Sequence, residues 1–135
     1  MRKINGEKVC RIIDANLNRA REGLRVCEDI ARFIFDKRNV TAEYKKIRHH
    51  LAALGAKENL IGCRNIQKDV GKKSTSAEFR RGNVRDIFYA NSQRVKESVR
   101  VLEEFTKLSN RKRAEQFKKL RYRIYALEKN IAQRF

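Results

Sequence analysis

The chain has 135 residues, of which 34 are Lys or Arg and 16 are Asp or Glu, so its formal net charge is +18. This length suits one ordinary domain, and we treat residues 1–135 as a single domain. The charge favours an anionic partner or substrate, although solvated helix surface would explain part of it. The sequence lacks the apolar run of a signal peptide or a membrane span, so we expect a cytoplasmic protein without membrane contact.

The cysteines indicate a reducing compartment. Cys10, Cys27 and Cys63 are odd in number, form no C-x-x-C pair and are widely separated. This pattern argues against a disulfide framework and against a zinc site. Cys27 falls on an apolar stripe, so its simplest interpretation is a small core residue.

The first half of the chain predicts a helical hairpin over residues 8–55. Apolar residues recur every three or four positions, which predicts an amphipathic helix over residues 8–36. Residues 36–39 form the predicted turn, and Thr41 is the predicted N-cap of a second helix that ends near Gly55. Because the connection is short, the two helices should be antiparallel neighbours.

A long basic segment without helical periodicity follows, and we interpret residues 56–82 as a crossover loop. Loops of this length are usually functional or disordered. Glycines and hydroxyl side chains can offer hydrogen-bond donors to a phosphate. We therefore predict substrate contacts from this loop at Asp69, Gly71, Lys72 and Ser74. The Walker pattern is absent, and a crossover linker made soluble by lysines is the alternative.

The second half repeats the first and predicts another hairpin over residues 83–134, with its turn near Asn110. Residues 89–107 repeat residues 14–32 at a constant offset of 75. A further match, YKKIRHHL over FKKLRYRI, follows each copy at an offset of 73. We therefore predict an all-α four-helix bundle, in which two related hairpins are arranged with pseudo-twofold symmetry.

The repeat preserves a polar motif, N-x-x-R-x-x-E-x-x-R-V-x-E, more closely than it preserves the apolar stripe. Arginine binds phosphate oxygens with two parallel hydrogen bonds, and magnesium prefers carboxylates together with substrate phosphates. The predicted catalytic, phosphate-binding residues are Arg19, Arg25, Arg94 and Arg100. The predicted further substrate contacts are Asn16, Asn91, Arg48 and Arg121. The predicted magnesium ligands are Glu28 and Glu103. An ion-pair network that holds the helices together is the alternative.

Four segments together resemble a known family: RIIDANLNRAREGLRVCEDIARF, DVG, AN..R..E..RVLEEF.K and LRYRIYALEK. The family is the all-helical domain at the N-terminus of many bacterial thiamine-phosphate synthases, which is sometimes encoded alone. The resemblance covers residues 11–129 and implies a hydroxymethylpyrimidine-phosphate kinase of thiamine biosynthesis that uses ATP and Mg²⁺. The family favours an aspartate where this chain has Asn65.

Two other function classes stay open, a basic helical nucleic-acid-binding module and a non-catalytic accessory domain of a thiamine-phosphate synthase. Charge favours nucleic acid. The basic residues nevertheless recur on every predicted helix, and the repeat preserves carboxylates, which disfavours it. The expected partners are small-molecule phosphates, the pyrimidine phosphate and ATP. A thiamine-phosphate synthase and a second copy of the chain are also compatible with the sequence.

Overall fold

The computed structural model describes residues 5–55 and 60–135, and these ranges contain helices and no strand. The four long helices are α1 (Gly6–Asp29), α2 (Arg38–Gly55), α3 (Val84–Thr106) and α4 (Arg111–Ala132). The short elements are a π-helical turn, Ile30–Ile34, and two 3₁₀ turns, Ile61–Cys63 and Ser76–Phe79. Within the described ranges, no helix is both long and apolar enough to cross a bilayer.

Asparagine side chains begin three of the long helices. The Oδ1 atoms of Asn5, Asn83 and Asn110 accept hydrogen bonds from backbone amides in the first turns of α1, α3 and α4. These amides have no partner inside the helix, so the caps stabilise the three N-termini. The cap at Asn110 confirms the turn predicted there.

The connection between α1 and α2 differs from the prediction. Asp36 has a φ of 51°, a left-handed conformation that Asp tolerates better than most residues, and the chain reverses there. Helix α2 therefore begins at Arg38, and Thr41 already lies inside it. The Thr41 hydroxyl donates to the carbonyl of Lys37 at 2.7 Å. The predicted N-cap role of Thr41 was therefore wrong.

The helices pack around one apolar core. Helix α1 contacts both α2 and α3, α3 contacts α4, and a smaller contact joins α2 to α4. Most residues of the predicted apolar stripes are buried, but Ile34, which the spacing placed at the end of the first stripe, is 53% exposed. The buried stripe residues include Leu24, Ile47, Leu51, Phe88, Val95, Val99, Leu102, Phe117, Leu120 and Ile124. Within the described residues the fold is all-helical with four long helices, as predicted, whereas the repeat of two hairpins with pseudo-twofold symmetry and the crossover loop stay predictions.

The segment that precedes α3 is tied to α1 by a disulfide between Cys10 and Cys63, whose Cα atoms are 5.9 Å apart. The prediction of no disulfide was wrong. The two cysteines lie 53 residues apart, and they meet only because the segment after α2 folds back onto the first turns of α1. Cys27 is free and buried, as expected, and burial raises the pKa of its thiol to about 12. Residues 56–59 of the predicted crossover loop lie outside the described residues.

Candidate functional site

The glutamate of the first motif copy is buried against arginines. Glu28 is only 4% exposed, and Arg48 on α2 donates hydrogen bonds to its two carboxylate oxygens at 3.2 and 3.3 Å. The Nε atom of Arg25 lies 3.9 Å from the same carboxylate and 3.4 Å from that of Asp29. A buried carboxylate requires a partner for its charge, and Arg48 is the main one here.

The second motif copy makes the same contacts. Glu103 is also 4% exposed, and the Nε and Nη2 atoms of Arg121 on α4 both lie 3.1 Å from its Oε2 atom. Arg100 lies 3.7 Å from this oxygen and 3.2 Å from the carboxylate of Glu104. The pairing therefore recurs at matching positions of the repeat, which favours the ion-pair interpretation of the motif.

This geometry does not fit the magnesium ion that the sequence suggested at Glu28 and Glu103. Magnesium requires several oxygen ligands in an octahedral arrangement, whereas arginines contact both carboxylates. Across residues 5–55 and 60–135, no cluster of three or more His, Cys, Asp or Glu side chains could hold a metal ion. The same ion pairs engage four arginines that the sequence assigned to phosphate or substrate binding, namely Arg25, Arg48, Arg100 and Arg121.

The two motif asparagines bond to their own helices. The Nδ2 atom of Asn16 donates to the carbonyl of Ile12, and that of Asn91 donates to the carbonyl of Ile87, both at 2.8 Å. Asn16 is buried and Asn91 is half-buried. These matched bonds give both residues a structural role within their helices.

A groove of about 530 Å³ lies between the N-terminal half of α1 and the segment that follows α2. Five basic side chains line it: Lys8, Arg11, Arg19, Arg64 and Lys68. Its acidic and amide side chains are Asp14, Asp69, Asn16 and Asn65. Its apolar side chains are Ile12, Ala15, Ile66 and Val70. The groove therefore combines positive charge with apolar surface, as ligand sites commonly do.

An ion pair joins the two walls of this groove. Asp14 on α1 is 6% exposed, and the Nε and Nη2 atoms of Arg64 donate to its two oxygens, each at 2.8 Å. These bonds raise the pKa of the Arg64 guanidinium above its ordinary value. Arg11 adds a hydrogen bond to the carbonyl of Asn65 at 3.2 Å. The wall formed by residues 64–70 is thereby fixed against α1 beside the Cys10–Cys63 disulfide.

Three cationic side chains in the groove have no ion-pair partner among the described residues. In the described part of the chain, the side chains of Lys8, Arg19 and Lys68 form no ion pair or hydrogen bond, and all three residues are exposed. Ile66 and Val70, 65% and 102% exposed, stand beside them. An anion with an apolar portion would match this surface, because it would neutralise the cations and cover the apolar side chains.

The structure brings together only some of the residues predicted from sequence. Asn16, Arg19 and Asp69 line the groove. Gly71, Lys72 and Ser74 lie in the exposed segment beyond it, and the Gly71 amide donates to Asp69 at 2.9 Å. Arg94 is exposed on α3 and does not line the groove.

Sequence reasoning missed Asp14 and Arg64. One signal was present, because the repeat departs from itself here: Tyr89 stands in the second copy where Asp14 stands in the first. A buried carboxylate that only one copy retains points to a contact made only by that copy. That contact is the ion pair with Arg64.

Known proteins resemble this chain over most of its length. A model of the ThiD2 family matches residues 11–130. The thiamine-phosphate synthase of a Synechocystis species is 42% identical over 132 residues, which cover 97% of this chain and 38% of that protein. The thiamine-phosphate synthases of Nostoc punctiforme (40% identical; 91% of this chain, 35% of that protein) and Rhodopirellula baltica (37% identical; 93% and 35%) are also similar.

The chain therefore spans little more than a third of the length of these curated relatives. No solved structure gives a significant match. The chain belongs to the ThiD2 family.

Proposed function

We propose that the chain acts in thiamine biosynthesis as a kinase that transfers a phosphoryl group from ATP to hydroxymethylpyrimidine phosphate. Membership of the ThiD2 family and the names of the relatives support the pathway. The observation that carries the proposal is the groove between α1 and residues 64–70, where unpaired cations adjoin exposed apolar side chains.

The groove suits a phosphorylated pyrimidine. Lys8, Arg19 and Lys68 would bind phosphate oxygens, because their charges have no partner within the described residues. Ile66 and Val70 would contact the pyrimidine ring, since burial of such side chains under a ligand is favourable. Arg64 is already engaged by Asp14, so its role is to hold the wall.

The reaction needs charge neutralisation more than it needs a base. The acceptor is a phosphate monoester, so its anionic oxygen attacks the γ-phosphorus of ATP without losing a proton. The new P–O bond forms as the bond to ADP breaks. Phosphoryl transfer depends mainly on alignment and on relief of repulsion between anions, which arginine and lysine supply.

His49 and His50 are exposed on α2 and do not line the groove. Magnesium would enter with ATP and lower the charge of its phosphates.

The test compares Arg19→Ala with Arg94→Ala, because these arginines occupy matching positions of the repeat and both are exposed. Only Arg19 lines the groove. ADP formation with hydroxymethylpyrimidine phosphate is measured in a coupled assay. We expect Arg19→Ala to lower kcat/KM on the order of 10- to 100-fold and Arg94→Ala to change it less than about twofold.

Three results would contradict the proposal in different ways. Full turnover in Arg19→Ala would exclude the groove as the site. Equal losses in both variants would favour the composite site that the sequence predicted from both motif copies. Failure of the wild-type protein to form ADP would exclude the kinase activity itself.

A binding domain without its own catalysis is the second candidate function. The partial coverage of the relatives favours it, because the matched segment is one part of longer thiamine-phosphate synthases. Calorimetric binding of hydroxymethylpyrimidine phosphate without ATP-dependent turnover would distinguish this function from the kinase.

A further inference from the structure

We infer that the Cys10–Cys63 disulfide controls ligand binding in the groove, so that reduction by a dithiol weakens the affinity for phosphate. The inference rests on the proposed function for the location of the site. It adds a means of regulating that site, and the residues that carry it are the two cysteines and their basic neighbours.

The segment that forms the outer wall has almost no core of its own. Every residue of the wall, 64–70, is exposed, and Leu60 and Cys63 are half-buried where the segment leaves the bundle. Hydrophobic burial therefore contributes little to holding this wall in place. Its position depends on the specific bonds that it makes with α1.

Three such bonds lie side by side. They are the Cys10–Cys63 disulfide, the hydrogen bond from Arg11 to the Asn65 carbonyl, and the Asp14–Arg64 ion pair. Each disulfide cysteine is followed in the sequence by an arginine that makes one of the polar bonds: Arg11 follows Cys10, and Arg64 follows Cys63. It therefore fixes the two backbones that present the guanidinium groups.

Without the disulfide, the position of the wall depends on noncovalent contacts. The Arg64 side chain is 39% exposed, and solvent screens ion pairs of such groups. The hydrogen bond from Arg11 is exposed as well. We therefore expect the reduced segment to spend more time away from α1, which separates Lys68 on the segment from Arg19 on the helix. A ligand that spans both side chains then binds more weakly.

The chemistry of the switch is thiol–disulfide exchange. A thiolate of the dithiol attacks one sulfur of the Cys10–Cys63 bond and forms a mixed disulfide, and the other protein sulfur leaves as a thiolate. The second thiol of the reductant then displaces the first protein sulfur. The protein gains two thiols, and the dithiol loses two electrons and two protons to become a cyclic disulfide. Both cysteines are half-buried, whereas the buried Cys27 should not react.

The experiment measures pyrophosphate binding by calorimetry for the oxidised and the dithiothreitol-reduced protein. We expect reduction to weaken binding roughly 5- to 10-fold, and Cys10→Ser/Cys63→Ser to match the reduced wild type. Cys27→Ala is the control, and its affinity should still fall on reduction. Should the double variant fail to fold, the reduced wild type provides the same comparison. Circular dichroism of each sample checks that the helices persist after reduction or substitution.

A linked measurement tests the coupling from the other side. If oxidation strengthens pyrophosphate binding tenfold, saturating pyrophosphate must favour the disulfide by the same factor. The midpoint of a dithiothreitol redox titration should therefore become about 30 mV more negative. Equal affinities in both redox states, with an unchanged midpoint, would overturn the inference and leave the kinase proposal intact. Redox-dependent pyrophosphate binding without ADP formation in the kinase assay would support the inference and overturn the kinase proposal.

Discussion

Glu103 shows how one buried charge depends on arginines that differ greatly in importance. Arg121 is 8% exposed, lies 3.1 Å from the carboxylate and also stacks near the rings of Tyr122 and Tyr125. Arg100 is 3.7 Å away, and its side chain is 55% exposed. Solvent competes with the second contact far more than with the first.

This difference predicts unequal effects on stability. Arg121→Met leaves Glu103 buried without its main partner, so we expect a loss of about 3 kcal/mol in the free energy of unfolding. Arg100→Met should cost less than about 1 kcal/mol. Urea unfolding monitored by circular dichroism measures both values. Equal costs would mean that Arg121 is not the main partner of this carboxylate.

Single residues also mark the limit of sequence reasoning about the site. Arg19 and Asp69 could be predicted as site residues, because arginine binds phosphate and because the segment around Asp69 resembles a phosphate-binding loop in its composition. Glu28 was assigned to magnesium because carboxylates suit that ion beside substrate phosphates. Its contact with Arg48 on another helix could not be predicted from spacing within one helix. The Asp14–Arg64 ion pair spans 50 residues and was missed for the same reason.

At the level of elements, the close contact between α1 and α3 depends on the absence of a side chain at Gly23. A Cβ atom there would lie 2.6 Å from Val95 Cγ2 and 3.1 Å from the backbone oxygen of Asn91. One of these neighbours is backbone and cannot rotate away. Of the two glycines in α1, only Gly23 lies where α3 comes this close.

Gly23→Ala should therefore destabilise the protein although alanine is the better helix former. Overpacking typically costs about 1–3 kcal/mol, and contact with rigid backbone places this site in the upper part of that range, above the roughly 1 kcal/mol that alanine gains in helix propensity. Gly6→Ala is the matched control in the same helix, because a Cβ there meets nothing within 4 Å. We expect Gly6→Ala to leave the thermal midpoint unchanged or slightly raised. A midpoint that rises in Gly23→Ala would show that the helices can separate at no cost.

The helices themselves were predictable because their signals are local. Apolar spacing placed the core stripes, and residues such as Asn110 and Gly55 marked the ends. The π-helical turn, Ile30–Ile34, and the reversal at Asp36 were not predictable, since they depend on how α2 packs back on α1. The disulfide was missed because its two cysteines meet only in the folded chain.

At the scale of the whole molecule, the net charge is +18, so a simple salt such as a chloride should stabilise the protein by screening repulsion between like charges. A general effect of this kind cannot distinguish a phosphate site from a basic surface that binds nucleic acid. Pyrophosphate and chloride at equal ionic strength separate the two effects, since both screen but only a specific ligand binds the groove.

We therefore expect pyrophosphate to raise the thermal midpoint above that in chloride of matched ionic strength. A ligand at 100 times its dissociation constant stabilises by about 2.7 kcal/mol, which corresponds to a rise of several degrees, roughly 5–10 °C. Arg19→Ala should lose most of this difference, whereas Arg94→Ala should retain it, because only Arg19 lines the groove. An identical rise in both variants would assign the effect to the total charge. It would then favour a diffuse basic surface, for which duplex DNA affinity should fall steeply with salt.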